Sequence, residues 1–202
     1  MTLESPSRDE LAELLRVYNE SPNERERVEA EINGAFRRKV AILVLDTSGF
    51  TRTTRMHGIV HFLALLERLE RMVVPTIARF GGKHLKTEAD NIFGVFPDAS
   101  SAVGCADSIL NDVEAVNVIL PEKDEIYVSF GIGYGDLLLI GSEDAYGDET
   151  NLACKLGEDL ADKGEVLLTQ AAYDSIEDTS RQFQELRLSV SGLLLIAHKL
   201  VR

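Results

Sequence analysis

Residues 40–51 read Val-Ala-Ile-Leu-Val-Leu-Asp-Thr-Ser-Gly-Phe-Thr. An apolar run without alternation is the pattern of a strand covered on both faces, so Val40 to Leu45 is expected in the middle of a sheet. Asp46 ends the run, and Thr47-Ser48-Gly49-Phe50-Thr51 is a small-residue turn leading towards a helix. Backbone N–H groups in such a turn can converge on an anion beside the carboxylate. A lone Asp at a strand end is most often a cap or turn residue. The reading changes because Asp90, in Lys-Thr-Glu-Ala-Asp-Asn, also falls at a strand end. Two carboxylates so placed suit paired Mg²⁺ ions and a nucleotide phosphate.

Upstream, the charged segment 1–37 carries two Ser-x-x-Glu signatures, Ser7 to Glu10 and Ser21 to Glu24, with Pro22 at a first helical position. Each is expected to start a short helix, one with Leu11, Leu14, Leu15 and Tyr18 on its sticky face, the next with Val28, Ile32 and Phe36. Faces that narrow need a partner: the chain's own core, a dimer contact or a regulatory input.

Downstream, Ile59 to Phe80 has helical periodicity, with a break or kink expected at Pro75 and a stop at Gly81-Gly82. His84 to Glu88 and Ile92 to Phe96 form a hairpin with Asp90 at its tip. A helix from Ala99 to about Val116 follows, then Ile126 to Tyr134 and Leu137 to Ile140 as a strand pair about Gly135-Asp136. A helix from about Thr150 to Asp162, a strand Glu165 to Thr169, a helix Gln170 to Ile176 and terminal strands Phe183 to Leu188 and Leu193 to Leu200 complete the pattern. Gly131-x-Gly133 is expected to allow close packing rather than to bind phosphate.

At 202 residues the chain fits one mixed α/β core with an appendage. A net charge of −13 argues against nucleic acid or anionic lipid as partners, since both need clustered Lys and Arg. An acidic chain still binds a triphosphate where metal ions bridge the two. Cys105 and Cys154, both in predicted helices, give no disulfide framework. No stretch of about 18 apolar residues and no signal-like N-terminus is present, so the expectation is a soluble, cytoplasmic protein. His57, His61, His84 and His198 have no metal-ligand spacing.

Three blocks together resemble the catalytic domain of class III nucleotidyl cyclases, the adenylyl and guanylyl cyclase family, over about residues 38–178. The first is Asp46, Gly49, Phe50 and Thr51; the second is Lys86 with Asp90 four residues on; the third is Asp144, Gly147, Asp148, Asn151 and Lys155. The resemblance implies an α/β fold of the α+β, ferredoxin-like kind. It has a central, mostly antiparallel sheet flanked by helices over residues 38–202, behind an N-terminal helical extension over 1–37. It also implies that Asp46 and Asp90 hold two Mg²⁺ or Mn²⁺ ions per site, that the turn Thr47 to Thr51 receives phosphates, and that Asn151 orients the ribose. Lys86 and Asp144 would read the base. Lys155 would offset transition-state charge. Because the family divides these roles between protomers and this chain contains both sets, a head-to-tail homodimer with two equivalent sites is implied.

Base choice can be argued from hydrogen-bond patterns. Adenine presents an acceptor at N1 beside an amino donor, and Lys86 only donates while ionised Asp144 only accepts. ATP therefore matches; CTP, whose cytosine shows the same pattern, stays open, and GTP fits less well. Two positions depart from the family. Ala89 stands before Asp90 where Gly is usual, and Lys155 stands where Arg is usual, keeping charge but losing the planar fork. The swap at Lys155 leads to the expectation of a slower cyclase, and both positions favour the rival reading, a catalytically silent signalling module that kept the fold. A diguanylate cyclase is disfavoured because the hairpin reads Glu-Ala-Asp-Asn-Ile-Phe.

Overall fold

The computed structural model describes residues 3–178, 180–190 and 193–202. In chain order the elements are α1 (Arg8–Glu20), α2 (Arg25–Phe36), β1 (Arg37–Thr47), α3 (Phe50–His57), α4 (Ile59–Arg79), β2 (Lys83–Glu88) and β3 (Asn91–Phe96). Next come α5 (Ala99–Asn117), β4 (Val128–Ile140), β5 (Asp144–Tyr146), α6 (Asp148–Cys154), β6 (Val166–Thr169), α7 (Gln170–Asp174), β7 (Gln182–Val190) and β8 (Leu193–Val201). Between α6 and β6 the helix continues as a π-helical stretch, Lys155–Leu160.

One sheet of eight strands runs β2-β3-β1-β4-β6-β8-β7, with β5 folded back onto β4. All pairings are antiparallel except β4 with β6. The first four strands in that order, with the helices connecting them, make the expected ferredoxin-like core. β1 pairs on both sides, with β3 and β4, which explains its unalternating sequence. Ala41, Leu43 and Leu45 enter the core under α4 and α5, while Val40, Ile42 and Val44 enter a second core on the opposite face. A strand buried on both sides has no polar face to display.

The first Ser-x-x-Glu signature forms a full capping box, Ser7 Oγ accepting from the Glu10 N–H and the Glu10 carboxylate accepting from the Ser7 N–H. The second does not. Ser21 makes no side-chain cap, and a 3₁₀ turn, Pro22–Glu24, leads into α2 instead. Val28, Ile32 and Phe36 of α2 are buried against Ile140, and Leu11, Leu14 and Tyr18 of α1 pack on that cluster. The extension therefore covers the chain's own core.

Two further expectations are corrected. Pro75 does not break α4, which runs through it with Pro75 on an exposed face. Gly135-Asp136 does not turn. β4 runs straight through, because Val40 and Lys39 of β1 pair with Gly135 and Asp136 and hold them in the ladder. At the other end of the sheet, Arg202 bonds to Asp107, Asn111 and Glu114 and ties the last strand to α5. No helix among the described residues is long and apolar enough to cross a membrane.

Candidate active site

Register brings the two aspartates together. Leu45 of β1 pairs with Ile92 of β3, so the next residues of β1 run alongside the hairpin tip that precedes Asn91. The Thr47 hydroxyl donates to Asp90 Oδ2 at 3.0 Å and clamps that tip to β1. Half-buried Asp46 feels the consequence. Burial, and then the negative charges of Asp90, Glu158 and Asp159, push its carboxyl up to about 7. Burial and Asp159 likewise raise Glu158, whose carboxylate accepts from Asn91 Nδ2 at 3.0 Å.

Glu158 and Asp159 were not singled out in the sequence. Their only sequence signal is helical spacing, Asp159 lying four residues after Lys155 and within reach of its ammonium, with which it forms an ion pair.

The turn after Asp46 is built on Gly49, whose φ of +94° favours glycine. Ser48 N–H is used internally, donating to the Tyr127 carbonyl at 2.8 Å. The N–H groups of residues 50 to 52, ahead of the first α3 bond from Thr53 N–H to the Gly49 carbonyl at 2.9 Å, have no intrahelical acceptor. The side chains of Phe50 and Thr51 lie outside the described residues. A cavity of about 360 Å³ opens beside the turn, lined by Ser48, Gly49, Arg52, Lys123, Tyr127 and Lys163 among others.

Lys86 and Asp144 also meet, Nζ to Oδ1 at 3.2 Å. A register shift between His84 and Lys86 inserts Leu85 as an extra residue, so that Lys86 pairs with Phe93 and its ammonium lies 4.9 Å from that ring's centroid. Asp144 arrives from β5, where Ile140 pairs with it. Burial works to raise the Asp144 carboxyl, but hydrogen bonds from Tyr146, Lys86 and the Ala145 N–H outweigh it and hold it below its ordinary value. Lys86 is also raised on balance, burial opposing it and Glu88 and Asp144 prevailing. Among the described residues no hydrogen bond or ion pair joins Lys86 or Asp144 directly to Asp46 or Asp90.

α6 carries Asn151, which is exposed, and leads directly into Lys155. Its height over the sheet is set by glycine. Gly131, Gly133 and Gly135 alternate along β4 onto one face, and a Cβ at Gly131 would stand 1.9 Å from the Ala153 carbonyl oxygen and 2.6 Å from the Gly157 nitrogen. At Gly133 it would meet the Glu149 carbonyl oxygen at 2.4 Å. The close packing expected of this motif is thus strand against helix. Glu149 pins the helix further, its carboxylate accepting from Tyr134 N–H at 3.0 Å and Thr169 Oγ1 at 2.6 Å.

No protein-family profile matches the chain. A curated protein of Rhizobium meliloti (strain 1021) named "Putative adenylate cyclase 3" is 29% identical over 140 residues, 69% of this chain. The chain spans only 24% of that protein's length. The adenylate/guanylate cyclase/hydrolase of Silicibacter pomeroyi superposes with a TM-score of 0.71 at 27% identity, over 82% of this chain and 98% of that one. The adenylyl cyclase CyaB of P. aeruginosa gives a TM-score of 0.69 at 20% identity over 82% and 95% of the two chains. The catalytic core of a rhodopsin-guanylyl cyclase with converted specificity, solved with ATPalphaS, gives 0.71 at 20% over 82% and 97%. The last two speak for the fold alone. Sequence blocks, fold and relatives agree, and the chain carries the catalytic-domain fold of the class III nucleotidyl cyclase family.

Proposed function

We propose that the chain cyclises a nucleoside triphosphate, ATP by preference, to the 3′,5′-cyclic monophosphate and pyrophosphate across a head-to-tail homodimer. What supports this reading is that one chain holds candidate residues for both half-sites. It has a carboxylate pair at the β1 end, and a Lys86–Asp144 pair, 3.2 Å apart, on the β2–β5 side.

The donor set suits Mg²⁺ or Mn²⁺. Asp46 and Asp90 offer hard oxygens, and although burial is the larger cause of the raised Asp46, a cation relieves the negative charge of Asp90, Glu158 and Asp159 that adds to it. Among the described residues no three His, Cys, Asp or Glu side chains form a ready-made cage. That matches Mg²⁺ sites completed by substrate phosphate and water rather than by protein alone. Two such ions, when bound, would lower the pKa of the ribose 3′-hydroxyl and offset triphosphate charge.

The chain's own residues have the remaining roles. The first-turn N–H groups of α3 receive phosphate oxygens, helped by Arg52 at the cavity beside them. Asn151 of the partner subunit orients the ribose. Lys155 of the partner subunit stabilises charge at the α-phosphoryl group during in-line attack. Lys86 of the partner subunit donates to adenine N1 while Asp144 of the partner subunit accepts from its amino group.

A second reading is favoured by one observation: Lys155 is held by Asp159, as in a module that keeps the fold and binds nucleotide without turning it over. Incubation with ATP, GTP, CTP and UTP in Mg²⁺ or Mn²⁺ decides. Cyclic AMP and pyrophosphate from wild type but not from Asp46→Ala is the expected result. No product from any nucleotide, with both proteins binding nucleotide equally, would establish the silent module.

A further inference from the structure

The N-terminal extension reaches the base-reading pair. Residues before α1 lie along the β4–β5 turn: Pro6 accepts from the Gly141 N–H at 2.7 Å, Glu4 accepts from Arg38 Nη2 at 3.2 Å, and Leu3 packs on the core under Val40 and Ile42. This seat places Arg8, the first residue of α1, over the turn. Its guanidinium spans two carboxylates, Nε to Glu143 Oε2 at 3.1 Å and Nη2 to Asp144 Oδ2 at 3.2 Å.

Counting acceptors gives the consequence. An ionised carboxylate offers about four lone-pair sites. At Asp144 all are engaged: Oδ1 by Lys86 at 3.2 Å and the Ala145 N–H at 3.0 Å, Oδ2 by Arg8 at 3.2 Å and the Tyr146 hydroxyl at 3.0 Å. An incoming amino group must displace one partner. Ala145 and Tyr146 are held by β5 itself, and Lys86 stays to meet the base. Arg8 is the partner that can leave, being half exposed and attached to a separate helix.

We propose that Arg8 competes with the base for Asp144, and so makes the N-terminal extension a determinant of nucleotide affinity and base preference. With Arg8 seated, the site shows the base only donors, from Lys86 and the guanidinium, which suits a base edge bearing a carbonyl oxygen. With Arg8 withdrawn, Asp144 is free to accept and an amino-bearing edge is preferred. Movement of α1 thus converts into a change in which base is held. This rests on the assignment of Lys86 and Asp144 to the base.

The test uses the full chain and the non-cyclisable 3′-deoxy forms of ATP and ITP, which differ at the 6-position that Asp144 would read and at N1, protonated in ITP; the N1 difference is the same for wild type and Arg8→Ala. Binding is measured by calorimetry in Mn²⁺. Arg8→Ala should tighten 3′-deoxy-ATP by about two- to fivefold, the scale of an exposed ion pair, and leave 3′-deoxy-ITP unchanged or weaker. Glu143→Gln, which takes the charge from the second anchor of Arg8 and leaves Asp144 intact, should move the ratio the same way by less. An unchanged ratio, or weaker 3′-deoxy-ATP binding, in Arg8→Ala overturns the proposal.

Asp144→Asn separates the two layers. If it leaves the preference between the nucleotides unaltered, the base assignment itself fails. If it removes the preference while Arg8→Ala does nothing, only the competition fails. Failure of wild type and Arg8→Ala to bind either nucleotide overturns both.

Discussion

Ala89→Gly should stabilise the protein, against the usual direction for a change to glycine. Among the described residues Ala89 is the one non-glycine with positive φ, +54°, and it occupies the first position of the two-residue loop between Glu88 and Asn91. That position calls for glycine, since an L side chain there meets its own carbonyl oxygen at a cost of roughly 1–2 kcal/mol. Removing the methyl loses almost no buried surface, because Ala89 is exposed. Set against the gain is the added freedom of glycine in the unfolded chain, about 0.5–1 kcal/mol. The net is a stabilisation of about 0.5–1 kcal/mol, or a rise in Tm of about 1–4 °C at this chain length. Calorimetry and urea unfolding followed by far-UV circular dichroism would measure it. Ala89→Val is the sign control: a β-branched residue at positive φ should destabilise. Loss of stability in Ala89→Gly would show that the tip adopts a different turn and that Asp90 is presented differently.

Four other outcomes follow from particular contacts. Gly131→Ala should destabilise by about 3 kcal/mol, because the atoms its Cβ would meet are backbone and cannot rotate away; the urea midpoint should fall with little change in slope. Mn²⁺ at about 100 times its Kd should add about 2.7 kcal/mol to the stability of wild type and much less to Asp46→Asn, read as a shift in Tm. His198, 6% exposed and stacked on Tyr173, is held below its ordinary pKa by burial, against the raising influence of Glu185 and Asp174. Its neutral form is the folded one, so its contribution is complete above the unfolded pKa of about 6.5 and is lost as pH falls through the lower folded value. His198→Gln should flatten that part of the stability profile. Lys155→Arg should raise kcat by about tenfold, the scale of one recovered charge-assisted hydrogen bond; no gain in a cyclase assay would mean that the Lys155 charge, not its shape, sets the rate.

The core was legible because its signals are local. β1 announced itself by an apolar run long enough to need cover on both faces, and the hairpin bearing Asp90 by its turn residues. Ala89 was flagged as a departure, and the chain accommodates it in place, at +54°, rather than passing the strain to Asn91. What failed was decided by partners distant in sequence. Gly135-Asp136 has turn chemistry, yet pairing with Val40 and Lys39 keeps it extended. Ser21 has a capping signature, yet the chain enters α2 through a 3₁₀ turn. At Gly135-Asp136 a tertiary pairing overrode a weak local preference.

The candidate site divides along the same line. Lys86 and Asp144 were linked by the family resemblance and matched to adenine by donor and acceptor logic, and the fold brings them to 3.2 Å. The acidic surroundings of Asp46 could not be foreseen, since Glu158 and Asp159 lie more than a hundred residues away and arrive only because glycines on β4 let α6 and the π-helical stretch settle onto the sheet. Arg8 was invisible for the same reason. In the sequence it is one cation behind a helix cap; in the fold it is the fourth partner of a carboxylate with four acceptor sites. A residue that takes the last acceptor site of a carboxylate limits what else that carboxylate can accept. The segment least informative as sequence therefore has the most direct hold on the Lys86–Asp144 pair.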